Sequence, residues 1–219
     1  MSIKHPTNKN LTLQSDKTYN GLSIQTHRGF VVAEYLDSIK SVIDRSLQAH
    51  PRTIAIRFDL RFPDQYPSPD GIPVITRFFK SLRALIDADL HRKKKHGIRV
   101  RDTDLRYVWA KEQGDAGKEH YHVAVFLNRD TYAHVGRYDS ENDNMASRIR
   151  RAWASALGIT VEYLGGAVYF PDNSTYKLNT RGGDGGSEYG KLFYRLSYLA
   201  KLDTKSYGDW KHSFGCSRK

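Results

Sequence analysis

The sequence predicts an α+β protein in which helices cover a mainly antiparallel sheet, and three observations carry that expectation. Helical and strand periodicities follow one another in the order helix, strand, helix, strand, strand, helix, short strands, helix. The two central strands, residues 105–112 and 119–127, are joined only by Gln113-Gly114-Asp115-Ala116-Gly117. A connection that short makes a hairpin, and a hairpin is antiparallel. No internal repeat or long linker divides the 219 residues. Residues 29–219 therefore read as one domain, and residues 1–28 as a polar N-terminal extension that is partly ordered at best.

Each element has its own signal. Between residues 30 and 50, Val32, Tyr35, Leu36, Ile39, Ile43 and Leu47 keep helical spacing until Pro51 stops them. Over residues 54–62 the period changes to two. Ile54, Ile56, Phe58, Leu60 and Phe62 alternate with Ala55, Arg57, Asp59 and Arg61, which predicts a strand with one buried and one charged face. A loop with Pro63, Pro67, Pro69 and Pro73 follows. Ile75, Phe78, Phe79, Leu82, Leu85 and Ile86 form the stripe of a second helix over 72–90. It leads into the basic run Arg92, Lys93, Lys94, Lys95, with Arg99 and Arg101 beyond. A third helix is expected over 142–157, carrying Arg148, Arg150 and Arg151. Short strands come next, 167–170 the clearest, and then a flexible glycine loop over 181–186. A last helix over 188–202 closes the order, with Ser187 as its cap.

Composition narrows the function classes. Apolar residues make up 39% and charged residues 27%, the balance of a globular and not a disordered chain. Lys and Arg number 35 against 24 acidic residues, a formal charge of +11. That surplus points to an anionic partner, nucleic acid before a membrane surface, with plain solubility as the bland alternative. The single cysteine, Cys216, excludes an internal disulfide framework and a Cys-rich zinc module. No apolar run approaches the roughly 18 residues of a membrane span. The first residues also lack a secretory signal's apolar stretch, so a cytoplasmic protein without membrane partners is expected.

Two constellations could carry chemistry. His120 and His122 lie two apart in a strand, so both imidazoles project from one face and can chelate one divalent ion. Glu112, across the hairpin, offers a third ligand, and Glu119 is the alternative carboxylate. Two histidines and a carboxylate leave coordination positions open, as a catalytic cation requires. The second constellation is Tyr194, Tyr198 and Lys201, which share a helical face at i, i+4 and i+7. Tyrosines at that spacing often pack on a core, but a lysine on the same face serves packing poorly. A phenol can attack phosphorus when a cation stabilises its phenolate.

Together these features resemble the HUH endonucleases, and more narrowly the two-tyrosine rolling-circle replication initiators of single-stranded DNA phages. Residues 54–62 resemble that superfamily's first conserved strand. The segment from Glu112 to His122 resembles its metal motif, and Tyr194 to Lys201 its tyrosine motif. The closing His212-Ser-Phe-Gly-Cys-Ser-Arg218 and the size are similar to the small inovirus-type replication proteins of filamentous phages and prophages. The resemblance implies a ferredoxin-like or RRM-like sheet with His120 and His122 on a central strand. It implies Mg²⁺ or Mn²⁺ held by Glu112, His120 and His122. It further implies nicking and rejoining of single-stranded DNA at a replication origin, with Tyr198 and Tyr194 as nucleophiles, Lys201 stabilising charge, and a 5′-phosphotyrosine link. No Gly-rich nucleotide-binding motif is present, so unwinding would fall to a separate helicase alongside host replication proteins.

On this reading Arg92, Lys93, Lys94, Lys95, Arg99, Arg101, Arg148, Arg150 and Arg151 could follow the phosphate backbone of DNA. The competing reading is a solvated helix end. Trp109, Trp153 and Trp210 could stack on bases or sit in a core. Two other functions fit the same residues: a non-catalytic DNA-binding regulator, and a metal-dependent hydrolase of a small phosphoester.

Overall fold

The computed structural model describes residues 2–64, 66, 73–114, 117–138, 143–181, 185–203 and 213–218. The glycine loop at 182–184, Trp210, His212 and the tip of the central hairpin lie outside the described residues.

The N-terminal stretch is built into the molecule. Its strands β1 (Ser2–Lys4) and β2 (Thr12–Gln14) pair with each other, and β3 (Thr18–Tyr19) pairs with β4 (Leu22–Ser23). Strand β5 (Val31–Val32) joins β2 and leads into helix α1 (Ala33–Ala49). Leu11, Leu13 and Ile24 are buried, so residues 2–28 are more than a loosely ordered extension. Their strands are too short to show as a period of two.

Strand β6 (Arg52–Arg61) and helix α2 (Val74–Lys95) come next, followed by the hairpin of β7 (Arg106–Gln113) and β8 (Glu119–Asn128). Helix α3 (Met145–Leu157) begins with a reciprocal cap between Asn144 and Ser147. It ends at Gly158, whose φ of 74° suits a left-handed C-terminal position. Strands β9 (Val168–Tyr169) and β10 (Thr175–Asn179), helix α4 (Gly185–Ser197) and strand β11 (Phe214–Cys216) complete the described chain.

The main sheet is six-stranded and antiparallel throughout, in the order β10, β6, β8, β7, β11, with β9 also on β6. The strand with the two histidines is thus central. Helices cover both faces. Phe58, Val123 and Val125 meet Phe78 of α2 and Trp153 of α3 on one side. Ala55, Ala124 and Phe126 meet Ile39 of α1 and Phe193 of α4 on the other. This corrects the expected charged, open face of β6: its eight inner residues are all buried, Arg57 and Asp59 included.

Three other boundaries shift. The basic run belongs to the last turns of α2 and does not follow the helix. Ser187 lies inside α4 and does not cap it. Trp153 is a core residue whose indole N–H donates to the Arg61 carbonyl at 2.8 Å. Gly215 of β11 lies flat against Trp109, where a Cβ would approach the indole to 2.7 Å.

Candidate metal centre and tyrosine

The site forms where three strands end in register. Asp59 of β6 and Ala110 of β7 flank His122, and Arg61 and Glu112 flank His120 two residues along. Period-two alternation turns Asp59, His120, His122 and Glu112 to the same face, the one covered by α1 and α4. Ligand atoms of Glu112, His120 and His122 all lie within 4.8 Å of one another. With bonds of about 2.1 Å, corners of an octahedron are about 3.0 Å apart when adjacent and about 4.2 Å when opposite, so the three side chains would draw together to hold a divalent cation. Glu119, the alternative carboxylate, alternates to the other face, where it accepts from Lys111 Nζ at 2.9 Å. Glu112 is therefore the third member.

The histidines sit in an environment suited to binding a cation. His122 Nδ1 lies 2.5 Å from Asp59 Oδ1 and 2.7 Å from an Arg57 guanidinium nitrogen, so a buried ion pair fixes the orientation of the ring. Nε2 points to Glu112 Oε2, 3.2 Å away. The Arg57 guanidinium bonds the same Asp59 oxygen at 2.5 Å. Burial alone would raise the Asp59 pKa. The His122 bond and the Arg57 charge outweigh it and hold the carboxyl well below the usual range. Burial, with His122 nearby, pushes His120 below its ordinary value and so favours the neutral imidazole that ligates metal.

The C-terminal constellation arrives from the helix side. Helix α4 stops at Ser197, and Tyr198–Ala200 form a single 3-10 turn. Gln25, from the N-terminal stretch, is bonded to this last turn. Its backbone N–H donates to Ser197 Oγ at 2.9 Å and its side chain to the Tyr194 carbonyl at 2.8 Å. Lys201 then runs antiparallel to Val31 and is buried. Its Nζ is 2.8 Å from Glu112 Oε2 and donates to Tyr198 Oη at 2.6 Å. Burial opposes the lysine's charge, but the bonds to Glu112 and Tyr198 prevail and raise its pKa. The Tyr198 ring stands edge-on to His122, centroids 5.5 Å apart. A cavity of about 260 Å³ opens beside them, lined by Gln25, Arg57, Asp59, His122, Arg195 and Tyr198 among others.

A family model for the YagK/YfjJ C-terminal domain matches residues 14–217, a stretch that holds every residue of this cluster. The chain belongs to that family. It is 38% identical over 210 residues to a protein of Escherichia coli strain K12 described as uncharacterized protein YagK, covering 92% of this chain and 98% of that one. It is 36% identical over 200 residues to uncharacterized protein YfjJ of the same strain, covering 87% and 96%. No solved structure matches the chain.

Within this YagK/YfjJ domain the sequence-derived candidates divide into two groups. Glu112, His120, His122, Tyr198 and Lys201 are together. Tyr194 is one helical turn earlier and 46% exposed. The basic residues lie elsewhere. Helix α2 starts at the site end of β6 and runs back for 22 residues, about 33 Å, to its basic last turns. There Arg92 and Lys93 pair with Asp89, and Lys94 with Asp102. Lys95, Arg99 and Arg101 are exposed, as is Arg151, while Arg150 is half-buried. Arg148 is a correction. It is 3% exposed and held by Asp89 at 2.9 Å and Asp143 at 3.0 Å, so it ties α3 to α2 and does not reach a surface.

Sequence reasoning missed Arg57, Asp59, Gln25 and Arg195. For the first two a signal existed, since an Arg and an Asp two apart inside an apolar strand could have been read as a buried pair. Gln25 and Arg195 carry no such pattern.

Proposed function

We propose that this protein is a metal-dependent nickase and ligase of single-stranded DNA that initiates rolling-circle replication of a phage or prophage element. The observation that carries the reading is the junction at Glu112. One carboxylate faces the His122 imidazole and binds the lysine that donates to the Tyr198 phenol. Glu112, His120 and His122 would hold Mg²⁺ or Mn²⁺, which when bound polarises a scissile phosphate. The HUH resemblance and a ferredoxin-like description of the sheet belong to the same proposal.

The chain's own residues then divide the work. Tyr198 Oη attacks phosphorus as its proton is given up, the P–O3′ bond breaks, the leaving oxygen takes up a proton as a 3′ hydroxyl, and the protein is left on the 5′ phosphate through a phosphotyrosine bond. Lys201, an ammonium ion already aimed at Oη, stabilises the phenolate that forms. Reversal by a 3′ hydroxyl rejoins the strand without ATP, because the diester bond energy is kept. Tyr194 is the second nucleophile, brought in by movement of the helix or the strand. A separate helicase, host replication proteins and a cytoplasmic setting complete the proposal.

Labelled single-stranded oligonucleotides that tile the DNA flanking the protein's own gene, incubated with Mn²⁺ and run on a denaturing protein gel, test it. A covalent, metal-dependent adduct at one or a few tiles is the expected result. Salt-sensitive complexes without an adduct at any tile would leave the regulator, and neither product the small-phosphoester hydrolase.

A further inference from the structure

At the end of β6 that carries the candidate site, a second and larger cavity opens, of about 800 Å³. Arg61, Phe62 and Tyr66 line one side, and Glu162, Tyr163 and Gly165 the other. None of these residues has a part in the chemistry proposed above.

Three observations indicate what would fit there. The first is continuity. Arg61 is the cross-strand partner of His120, and its guanidinium lies 5.2 Å from the Tyr169 ring centroid, so one exposed cation borders both the cluster and the cavity. The second is Tyr163, which is 73% exposed. Core packing does not account for a phenol ring standing in water at a cavity wall, whereas stacking on a planar ligand would. The third is charge. Glu162 places a carboxylate acceptor in the lining, suited to exocyclic amino groups, and Asp64 a second one that already accepts from Lys118 Nζ at 2.5 Å. A ligand with an aromatic, amino-bearing end and an anionic end matches this division between carboxylates and Arg61. The cavity also lies within the roughly 300–1,000 Å³ typical of small-ligand pockets.

Resting on the single-strand nickase reading, we propose that this cavity takes one unpaired base of the bound strand. The base stacks on Tyr163, and the phosphate beside it stays with Arg61 next to the metal cluster. The cavity thereby fixes the register of the strand relative to the scissile phosphate.

The test uses the full chain in EDTA, where no cleavage intervenes. The probe is a thymidine strand of about 20 nucleotides carrying a single 2-aminopurine, whose fluorescence is quenched on stacking. The parent protein should quench it. Tyr163→Ala should lose the quenching and bind about tenfold more weakly, Tyr163→Trp should keep both, and circular dichroism should be unchanged in each. Equal quenching and affinity in Tyr163→Ala would overturn the proposal. The adduct assay with Mn²⁺ separates the two ideas. Adducts from the parent together with an indifferent Tyr163→Ala remove the base site and leave the nickase. Tyr163-dependent quenching with no adduct at any tile removes the nickase and leaves a single-strand-binding site.

Discussion

His122 has a carboxylate beside each ring nitrogen, Asp59 at Nδ1 and Glu112 at Nε2, and the Arg57 guanidinium 2.7 Å from Nδ1. An imidazole whose orientation is held by a buried carboxylate binds a cation more tightly than one free to rotate. Asp59→Asn should therefore lower Mn²⁺ affinity by roughly ten- to a hundredfold in isothermal titration, and unchanged affinity would show that the pair is only structural. His122→Ala removes a ligand but none of the phosphate-binding cations. It should abolish the covalent adduct while single-strand affinity, read by fluorescence anisotropy, stays within a few fold. Equal cleavage by His122→Ala would mean the cluster is not the metal site. At this scale much was legible. The spacing of His120 and His122 and the hairpin to Glu112 follow from strand alternation alone. Asp59 was not legible as a partner of His122. An alternating charged residue looks the same whether solvent or a second helical layer covers its face, and α1 and α4 are that layer.

The elements show a similar limit at α4. Tyr194, Tyr198 and Lys201 keep their spacing in sequence whether or not the helix continues, so the stop at Ser197 leaves no periodic trace. Gln25, which bonds that last turn, comes from a stretch whose strands are two or three residues long. Helices α1, α2 and α3 were legible because each buries a stripe. The polar link between α2 and α3 was not, since it lies at Asp89, which accepts from Lys93 and Tyr132 and pairs with Arg148. Burial would raise the Asp89 pKa, but those partners hold it below the usual value. A depressed carboxylate stabilises the fold above its unfolded pKa of about 3.9. That contribution is lost as pH falls through the folded value. Asp89→Asn should cost about 3 kcal/mol in urea unfolding at neutral pH, with the difference from the parent shrinking near pH 3. An identical difference at both pH values would contradict the account.

At the scale of the whole molecule, the basic run at the end of α2 lies away from the candidate site. The exposed cations Lys94, Lys95 and Arg99 lie at the far end of α2, so only a strand long enough to span the molecule can meet both regions. Changing these three to Gln should weaken a strand of about 20 nucleotides and reduce the slope of log K against log salt by up to about 0.7 per lost contact. A strand of about six nucleotides, roughly 20 Å at stacked spacing, should bind the variant as it binds the parent. Equal weakening of both lengths would place these cations beside the site. Total charge was legible in the sequence, but its distribution depends on where α2 begins and how far it runs. The central claim is that Tyr198 is a nucleophile served by Lys201 and the Glu112, His120, His122 cluster. The most direct measurement is the yield of covalent DNA adduct with Mn²⁺ from Tyr198→Phe, Tyr194→Phe and the double variant, with mass spectrometry of the linked peptide. The account predicts that Tyr198→Phe loses most of the adduct, Tyr194→Phe less and the double variant all of it, with the nucleotide found on the α4 peptide. Full adduct from the double variant would contradict it and leave both tyrosines as packing residues.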